Sequence, residues 1–171
     1  MIIGISGKAR SGKSTIAEHL CTTHNFEVHS FAGALKEACR AIFQFSDAQL
    51  YGAEKEVCDL YWGITPREAL QRVGTEVMRR GFDDRVWIKA LKRRIEPLDR
   101  VVIPDMRFPD EAKAVLAWGG SLWRVERDGA QASGGVPNHP SESALDGWGL
   151  WDRVLSNNST LQELRTKVDR A

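Results

Sequence analysis

The sequence predicts an α/β fold in which a parallel sheet is covered by helices on both sides. Short apolar segments alternate with segments whose apolar residues recur at helical spacing. One segment, Val101–Ile103, is apolar without interruption, as a strand buried on both faces should be. Strands that alternate with helices pair in parallel, and 171 residues suit one such domain.

The N-terminal elements follow from β-branched residues and apolar spacing. Met1 to Ile5 is a short apolar run that predicts a buried strand and is far too short to cross a membrane. Residues 13–24 are predicted to be helical because their apolar side chains fall near one face. Glu27 to Phe31 is predicted to be a second strand, and Ala34 to Phe45 a helix with one apolar stripe.

The middle of the chain is predicted to be helical. Thr65 can cap a helix that begins at Pro66, and Glu68 would complete its capping box. The apolar pattern continues to about residue 80, where Gly81 would end the helix. A further helix is predicted at about residues 84–96.

The C-terminal part returns to alternating helices and strands. We predict a helix at residues 108–118, a strand at 121–126, a loop at 129–140 and a last short strand at 152–155. Ser159 is expected to cap a C-terminal helix, with Gln162 completing its capping box.

Composition and charge are those of an ordinary globular protein. The formal net charge is +1, which gives no support for nucleic-acid or membrane electrostatics. The three cysteines, Cys21, Cys39 and Cys58, are widely spaced and predict reduced thiols, not a disulfide framework or a cysteine zinc site. We therefore expect a cytoplasmic protein without nucleic-acid or membrane partners.

Residues 7–14, GKARSGKS, match the phosphate-loop motif GxxxxGK[ST] at every fixed position, between a predicted strand and a predicted helix. A chance match in a chain of this length has a probability below about 1%. The glycines allow the backbone to approach phosphate closely, and the helix N-terminus adds positive potential. Lys13 should reach the β- and γ-phosphates, and Ser14 should ligate Mg²⁺. The residues predicted to bind ATP are Gly7, Arg10, Ser11, Gly12, Lys13, Ser14 and Thr15.

Asp105 follows the buried strand Val101–Ile103, and ligands of open α/β sheets bind beyond the carboxyl ends of strands. It is therefore a candidate Walker B residue that would hold Mg²⁺ together with Ser14. The alternative is an ordinary loop aspartate that caps the next helix.

Several arginines could offset phosphate charge, since guanidinium binds phosphate bidentately. Arg107 should face the same crevice as Asp105, and Arg127 lies where the strand 121–126 enters the loop. Either Arg127 or Arg124 could be the lid arginine. Arg67 and Arg72 lie on the predicted helix 65–80. Each arginine could instead be a surface ion-pair partner. The residues predicted to act in catalysis are Lys13, Asp105, Arg107 and Arg127.

Three further features have two interpretations each. Gly74-Thr75 lies inside a helix, where glycine costs about 1 kcal/mol relative to alanine, so either close helix packing or a bound base explains it. Trp62 and Trp148 could stack on a base or belong to the core. His139 and Glu142 belong to a segment that either caps a helix or has a functional role, which stays open.

Together these motifs resemble the bacteriophage deoxynucleoside monophosphate kinase family. The similar blocks are the phosphate loop, residues 31–36, residues 70–76, Trp87, residues 103–108, residues 124–127 and residues 139–142. Their order along the chain is far more specific than the phosphate loop alone. The chain is compact for the family, and Val73 stands where leucine is expected before Gly74.

The resemblance implies a P-loop NTPase three-layer sandwich that transfers the γ-phosphate of ATP to a deoxynucleoside monophosphate and requires Mg²⁺. It implies one domain with a core at about 1–32 and 97–171, a helical monophosphate-binding insertion at about 33–96 and a short lid at about 127–141. The residues expected near the acceptor are Lys36, Arg67, Arg72, Gly74 and Thr75.

Two other functions stay open. Another small P-loop kinase would act on dephospho-coenzyme A or a small alcohol, with Asp105 as the catalytic base. A nucleotide-dependent switch would bind ATP without transferring phosphate. In the leading hypothesis the partners are ATP and a deoxynucleoside monophosphate. The protein could form a homodimer. A phage-encoded enzyme would act in the host cytoplasm.

Overall fold

The computed structural model describes residues 1–130 and 143–171, which divide into two compact units. The phosphate-loop unit comprises Met1–Ser30 and Ile95–Ala171, and the helical unit comprises Phe31–Arg94. The predictions for His139, for Glu142 and for most of the lid lie outside the described residues.

The helices confirm most of the sequence-based expectations. They are α1 Lys13–His24, α2 Gly33–Phe43, α3 Asp47–Tyr51, α4 Pro66–Gln71, α5 Val86–Ile95, α6 Pro109–Ala117 and α7 Leu161–Asp169. A 3₁₀ turn occupies Ala53–Glu56, and a π-helical segment, Arg72–Arg79, continues α4. Within the described ranges, none of the helices combines the length and the apolar character needed to cross a bilayer.

The strands form one five-stranded sheet in the phosphate-loop unit, and every neighbouring pair is parallel. They are β1 Ile2–Ser6, β2 Glu27–Val28, β3 Val101–Ile103, β4 Ser121–Glu126 and β5 Arg153–Ser156. Their order is β2-β3-β1-β4-β5, which puts β1 at the centre. The predicted parallel sheet is confirmed, and β2 is shorter than expected because it is an exposed edge strand whose partner β3 has only three residues.

Helices cover both faces of this sheet. Ile3 of β1 belongs to the same buried cluster as Leu20 of α1 and Leu164 of α7. On the other face, a Cβ at Gly4 would lie 3.2 Å from Met106 Sδ and 3.3 Å from the methyl groups of Val115 in α6. The sheet therefore lies between two helical layers within the phosphate-loop unit.

Two helix starts show how capping chemistry sets boundaries. Thr65 caps α4 as predicted, because its side chain accepts a hydrogen bond from Glu68 N–H at 3.1 Å. The cap of α7 is Thr160 and not the predicted Ser159, since Thr160 has the extended backbone of a cap and accepts from Glu163 N–H at 3.3 Å. Both residues can cap a helix, so the sequence prediction was wrong by one position.

The helical unit has its own core, formed by Cys39, Phe45, Leu50 and Ala69. Burial raises the pKa of the Cys39 thiol to about 11, so this side chain is a neutral core residue at physiological pH.

Close packing accounts for the glycine inside the α4 extension. A Cβ at Gly74 would lie 2.7 Å from Leu35 Cδ2, and the Gly74 carbonyl accepts a hydrogen bond from Trp87 Nε1 at 3.0 Å. Of the two explanations considered for this glycine, helix packing is the one for which the structure supplies contacts.

Candidate functional site

The loop between β1 and α1 has an unusual backbone. Gly7 and Gly12 have φ values of +153° and +109°, and Arg10 adopts the left-handed region with a φ of +61°. A left-handed conformation costs a non-glycine residue roughly 1 kcal/mol, and such outliers concentrate at functional sites. Alternation of right- and left-handed residues turns successive N–H groups toward a common point, which is how backbone loops bind anions.

At both glycines of this loop, neighbouring atoms leave no room for a Cβ. A Cβ at Gly7 would lie 2.4 Å from the backbone oxygen of Val125, and a Cβ at Gly12 would lie 2.4 Å from Asn157 Nδ2. The loop therefore lies directly against the end of β4 and the residue that follows β5.

Asn157 holds the loop in place through two hydrogen bonds. Its buried side-chain Nδ2 donates to the Ser11 carbonyl at 2.8 Å, and its backbone N–H donates to the Glu126 carbonyl at 2.7 Å. Asn157 was not predicted from the sequence, although an asparagine directly after the last strand lies at the edge of the sheet where ligands bind.

Replacing Asn157 with alanine should lower the free energy of unfolding by roughly 1 to 3 kcal/mol, because the buried Ser11 carbonyl would lose its partner. Urea denaturation measures this loss. The matched control is Asn158→Ala, which removes only an exposed side-chain oxygen that accepts from Asp128 N–H. Equal losses in the two variants would contradict the anchoring role of Asn157.

Two side chains within the loop carry polar groups suited to a phosphate. Lys13 Nζ donates to the carbonyls of Gly7 and Lys8, each at 2.7 Å. Ser11 is buried, and its Oγ has no hydrogen-bond partner within the described part of the chain. A buried hydroxyl without a partner is what a ligand oxygen would satisfy.

Two cavities border Lys13. The larger, of about 360 Å³, is lined by Arg10, Gly12, Lys13, Ser14, Thr15, Arg127, Asn157, Ser159, Leu161 and Leu164. The smaller, of about 30 Å³, includes Gly7, Lys8, Lys13, Arg107, Arg124 and Asp146 among its lining residues. The structure therefore brings the predicted Arg107 and Arg127 to cavities that share the phosphate-loop lysine.

Asp146 was not singled out in the sequence analysis, yet it pairs with two cations of the smaller cavity. Its carboxylate accepts from Lys8 Nζ at 2.6 Å and from Arg124 Nη2 at 3.0 Å. Burial acts to raise the pKa of Asp146, but these two hydrogen bonds outweigh it and hold the pKa below its ordinary value. Arg124, whose guanidinium also lies 5.6 Å from the Trp151 ring, is thus held in place, whereas Arg127 is exposed.

The two predicted magnesium ligands occupy suitable elements. Asp105 comes two residues after β3, whose Ile103 pairs with Gly4 of β1, so it lies at the same sheet edge as the phosphate loop. Ser14 is exposed in the first turn of α1. A hydroxyl and a carboxylate are the hard oxygen donors that Mg²⁺ prefers.

The predicted acceptor residues lie in the helical unit. Lys36 Nζ lies 3.9 Å from the centre of the Tyr51 ring, and Thr75 lies in the π-helical segment. Arg67 forms an ion pair with Glu56, and Arg72 forms one with Glu68 four residues earlier. These contacts match the surface ion-pair interpretation, and a role of both arginines in substrate binding stays a prediction.

The two tryptophans considered for base stacking have local partners. Trp62 Nε1 donates to the Phe43 carbonyl at 3.0 Å, and its ring lies edge-on to the Phe43 ring with centroids 5.0 Å apart. Trp148 Nε1 donates to the Leu150 carbonyl at 3.2 Å. Both indoles therefore contribute to local structure.

Known proteins resemble this chain in sequence and in fold. No model of a protein family matches it. A protein of Acanthamoeba polyphaga mimivirus, described as a candidate deoxynucleotide monophosphate kinase, is 36% identical over 98% of this chain and 94% of its own length. The deoxynucleoside-5'-monophosphate kinase of Escherichia phage T5 is 42% identical over 61% of this chain, which spans 44% of that longer protein.

A solved structure supports the fold assignment. Shikimate kinase from Aquifex aeolicus superposes with a TM-score of 0.50 over 99% of this chain and 94% of its own, at 15% identity. At that identity the likeness shows the fold alone, and it confirms the predicted phosphate-loop kinase architecture.

Proposed function

Because the chain belongs to the deoxynucleotide monophosphate kinase family, we propose that it transfers the γ-phosphate of ATP to a deoxynucleoside monophosphate and releases the diphosphate. The observation that carries the proposal is the phosphate loop, which contains two positive-φ glycines, Lys13 and a buried Ser11 hydroxyl that has no hydrogen-bond partner among the described residues. Membership of the family favours this reaction over the other phosphoryl transfers considered from the sequence.

The donor nucleotide would be held by the phosphate loop. On binding, Lys13 Nζ would exchange its two carbonyl partners for the β- and γ-phosphate oxygens. The larger cavity offers a place for the base and ribose, since Leu161 and Leu164 supply apolar surface and Arg127 supplies a cation. Arg10, Gly12 and Thr15 border the same cavity.

The donor set fits a magnesium ion. Ser14 and Asp105 are the residues that would hold it, as hydroxyl and carboxylate ligands near the phosphate loop. When bound, Mg²⁺ offsets the negative charge of the β- and γ-phosphates.

Catalysis would consist of positioning and charge stabilisation. A monophosphate oxygen is already a competent nucleophile, so no side chain has to remove a proton from it. Lys13, Arg107 and Arg127 would stabilise the charge that spreads over the transferring phosphoryl group.

The acceptor would be held by the helical unit. We assign Lys36, Arg67, Arg72, Gly74 and Thr75 to this role from the family resemblance. Both arginines would have to exchange their carboxylate partners, Glu56 and Glu68, for the acceptor phosphate. The partners we propose are therefore small nucleotides. We propose that the protein acts in the cytoplasm of the host cell, and that a homodimer is the oligomeric state to test.

One acceptor panel tests the proposal. The protein is incubated with ATP, Mg²⁺ and each ribo- and deoxynucleoside monophosphate, with dephospho-coenzyme A and glycerol as the competing acceptors, and products are separated by chromatography. We expect diphosphate from at least one deoxynucleoside monophosphate and no product from the other two acceptors. Phosphorylation of dephospho-coenzyme A or glycerol alone, or tight ATP binding without transfer to any monophosphate, would overturn the proposal.

A further inference from the structure

Two histidines and one carboxylate meet where α1 and α7 end. Asp169 Oδ1 lies 2.7 Å from His19 Nε2 and 2.8 Å from His24 Nε2, so one oxygen contacts both rings. His19 and His24 lie on α1 and Asp169 on α7, and all three belong to the phosphate-loop unit. The three candidate ligand atoms lie within 4.8 Å of one another.

We propose that His19, His24 and Asp169 form a zinc-binding site. Imidazole nitrogen and carboxylate oxygen are standard zinc ligands, and three protein ligands leave a fourth position for water. Ligand atoms about 2.1 Å from a tetrahedral zinc ion are about 3.4 Å apart, so the two Nε2–Oδ1 distances would lengthen by about 0.6 to 0.7 Å to admit it. In the zinc complex each ring would bind through Nε2 as a neutral imidazole that carries its proton on Nδ1, and a ring that was an imidazolium would release its Nε2 proton to solvent.

The far side of the His19 ring supports this assignment. Its Nδ1 lies 3.3 Å from Thr23 Oγ1, one helical turn further along α1. With Nε2 on the metal, Nδ1–H would donate to that hydroxyl, and a hydrogen bond of this kind orients a metal-binding histidine. This contact is independent of the carboxylate, and the hydroxyl can accept from Nδ1–H in the tautomer that binds a metal through Nε2.

Exposure of the three side chains suits an ion that enters from solvent. The His19 side chain is 10% exposed and is held by packing, whereas His24 and Asp169 are 34% and 44% exposed. The helix ends at His24, because Asn25 adopts a left-handed conformation with a φ of +57°. His24 is therefore the last residue of α1, five positions after His19. A bound ion would join α1 to α7, which is far away in the sequence.

Isothermal titration calorimetry with zinc chloride tests the site, in the absence of nucleotide because nucleotides chelate zinc. We expect one ion per chain. His19→Gln and Asp169→Asn should each weaken binding at least about tenfold, and Thr23→Val should weaken it by about tenfold. The matched control is His29→Gln, a histidine beside Glu27 and outside this cluster, which should leave the affinity unchanged. Absence of stoichiometric binding, or equal affinity in the wild type, His19→Gln and Asp169→Asn, would overturn the proposal.

If circular dichroism shows that a ligand variant does not fold, cobalt substitution provides a measurement on the unaltered chain. Co²⁺ bound by imidazole and carboxylate should give visible ligand-field bands without a thiolate charge-transfer band in the near ultraviolet. One equivalent of zinc should then displace the cobalt and abolish these bands. A thiolate band would instead assign the metal to a cysteine and overturn the proposal.

Discussion

Lys13→Ala should reduce phosphoryl transfer by roughly a hundredfold or more and leave the fold intact, because the variant removes the charge closest to the transferring phosphate. In the structure Lys13 lines both cavities of the site, and its Nζ donates to the Gly7 and Lys8 carbonyls. Steady-state assays with ATP and the preferred monophosphate measure the loss. Circular dichroism and thermal unfolding show whether the variant is folded.

Lys8→Ala is the control for this prediction, since it removes a lysine from the same loop. Lys8 Nζ pairs with Asp146, so its charge is already directed toward a carboxylate. We expect transfer to fall less than tenfold in this variant. Unchanged transfer by Lys13→Ala, or a loss no larger than that of Lys8→Ala, would refute the role given to Lys13.

Gly7→Ala should destabilise the protein by roughly 2 to 4 kcal/mol and abolish nucleotide binding. The added Cβ would lie 2.4 Å from the Val125 backbone oxygen and 2.8 Å from Ser11 Oγ, at a φ of +153°. A strand backbone cannot move aside as a flexible side chain can, so the loop would have to shift away from β4. Chemical denaturation and titration with ATP measure the two effects.

Gly129→Ala separates backbone strain from steric conflict. Gly129 also has a positive φ, +73°, but a Cβ there would meet no atom of residues 1–130 or 143–171 within 4 Å. We expect it to cost about 1 kcal/mol, the penalty of a left-handed conformation alone. A loss in Gly7→Ala as small as that in Gly129→Ala would show that the packing under the phosphate loop is not what requires the glycine.

Local patterns were enough to predict most of the fold. Apolar spacing located α1, α6 and β4, and the Thr65-Pro66 start located α4, because each of these signals lies within a few residues. Where two neighbours could serve equally, the pattern could not choose between them. Ser159 and Thr160 both cap helices, and the choice of Thr160 depends on the path of the chain after β5.

The anchors of the candidate site could not be read from local patterns, because they join distant parts of the chain. Asn157 contacts Ser11 across 146 residues, and Asp146 contacts Lys8 across 138. Nothing in the sequence around Asn157 or Asp146 signals a partner so far away. The motif identified the residues that would face phosphate, and the structure added the residues that hold the motif in shape.

The resting position of Lys13 bears on how the protein behaves among the many small anions of a cell. Since its ammonium group already donates to two backbone oxygens, an incoming anion must replace those partners before it gains anything from the charge. A single phosphate group and a triphosphate face the same loss of these two hydrogen bonds. A triphosphate can bind more loop amides at once than a single phosphate group, so the exchange favours the larger, multidentate ligand.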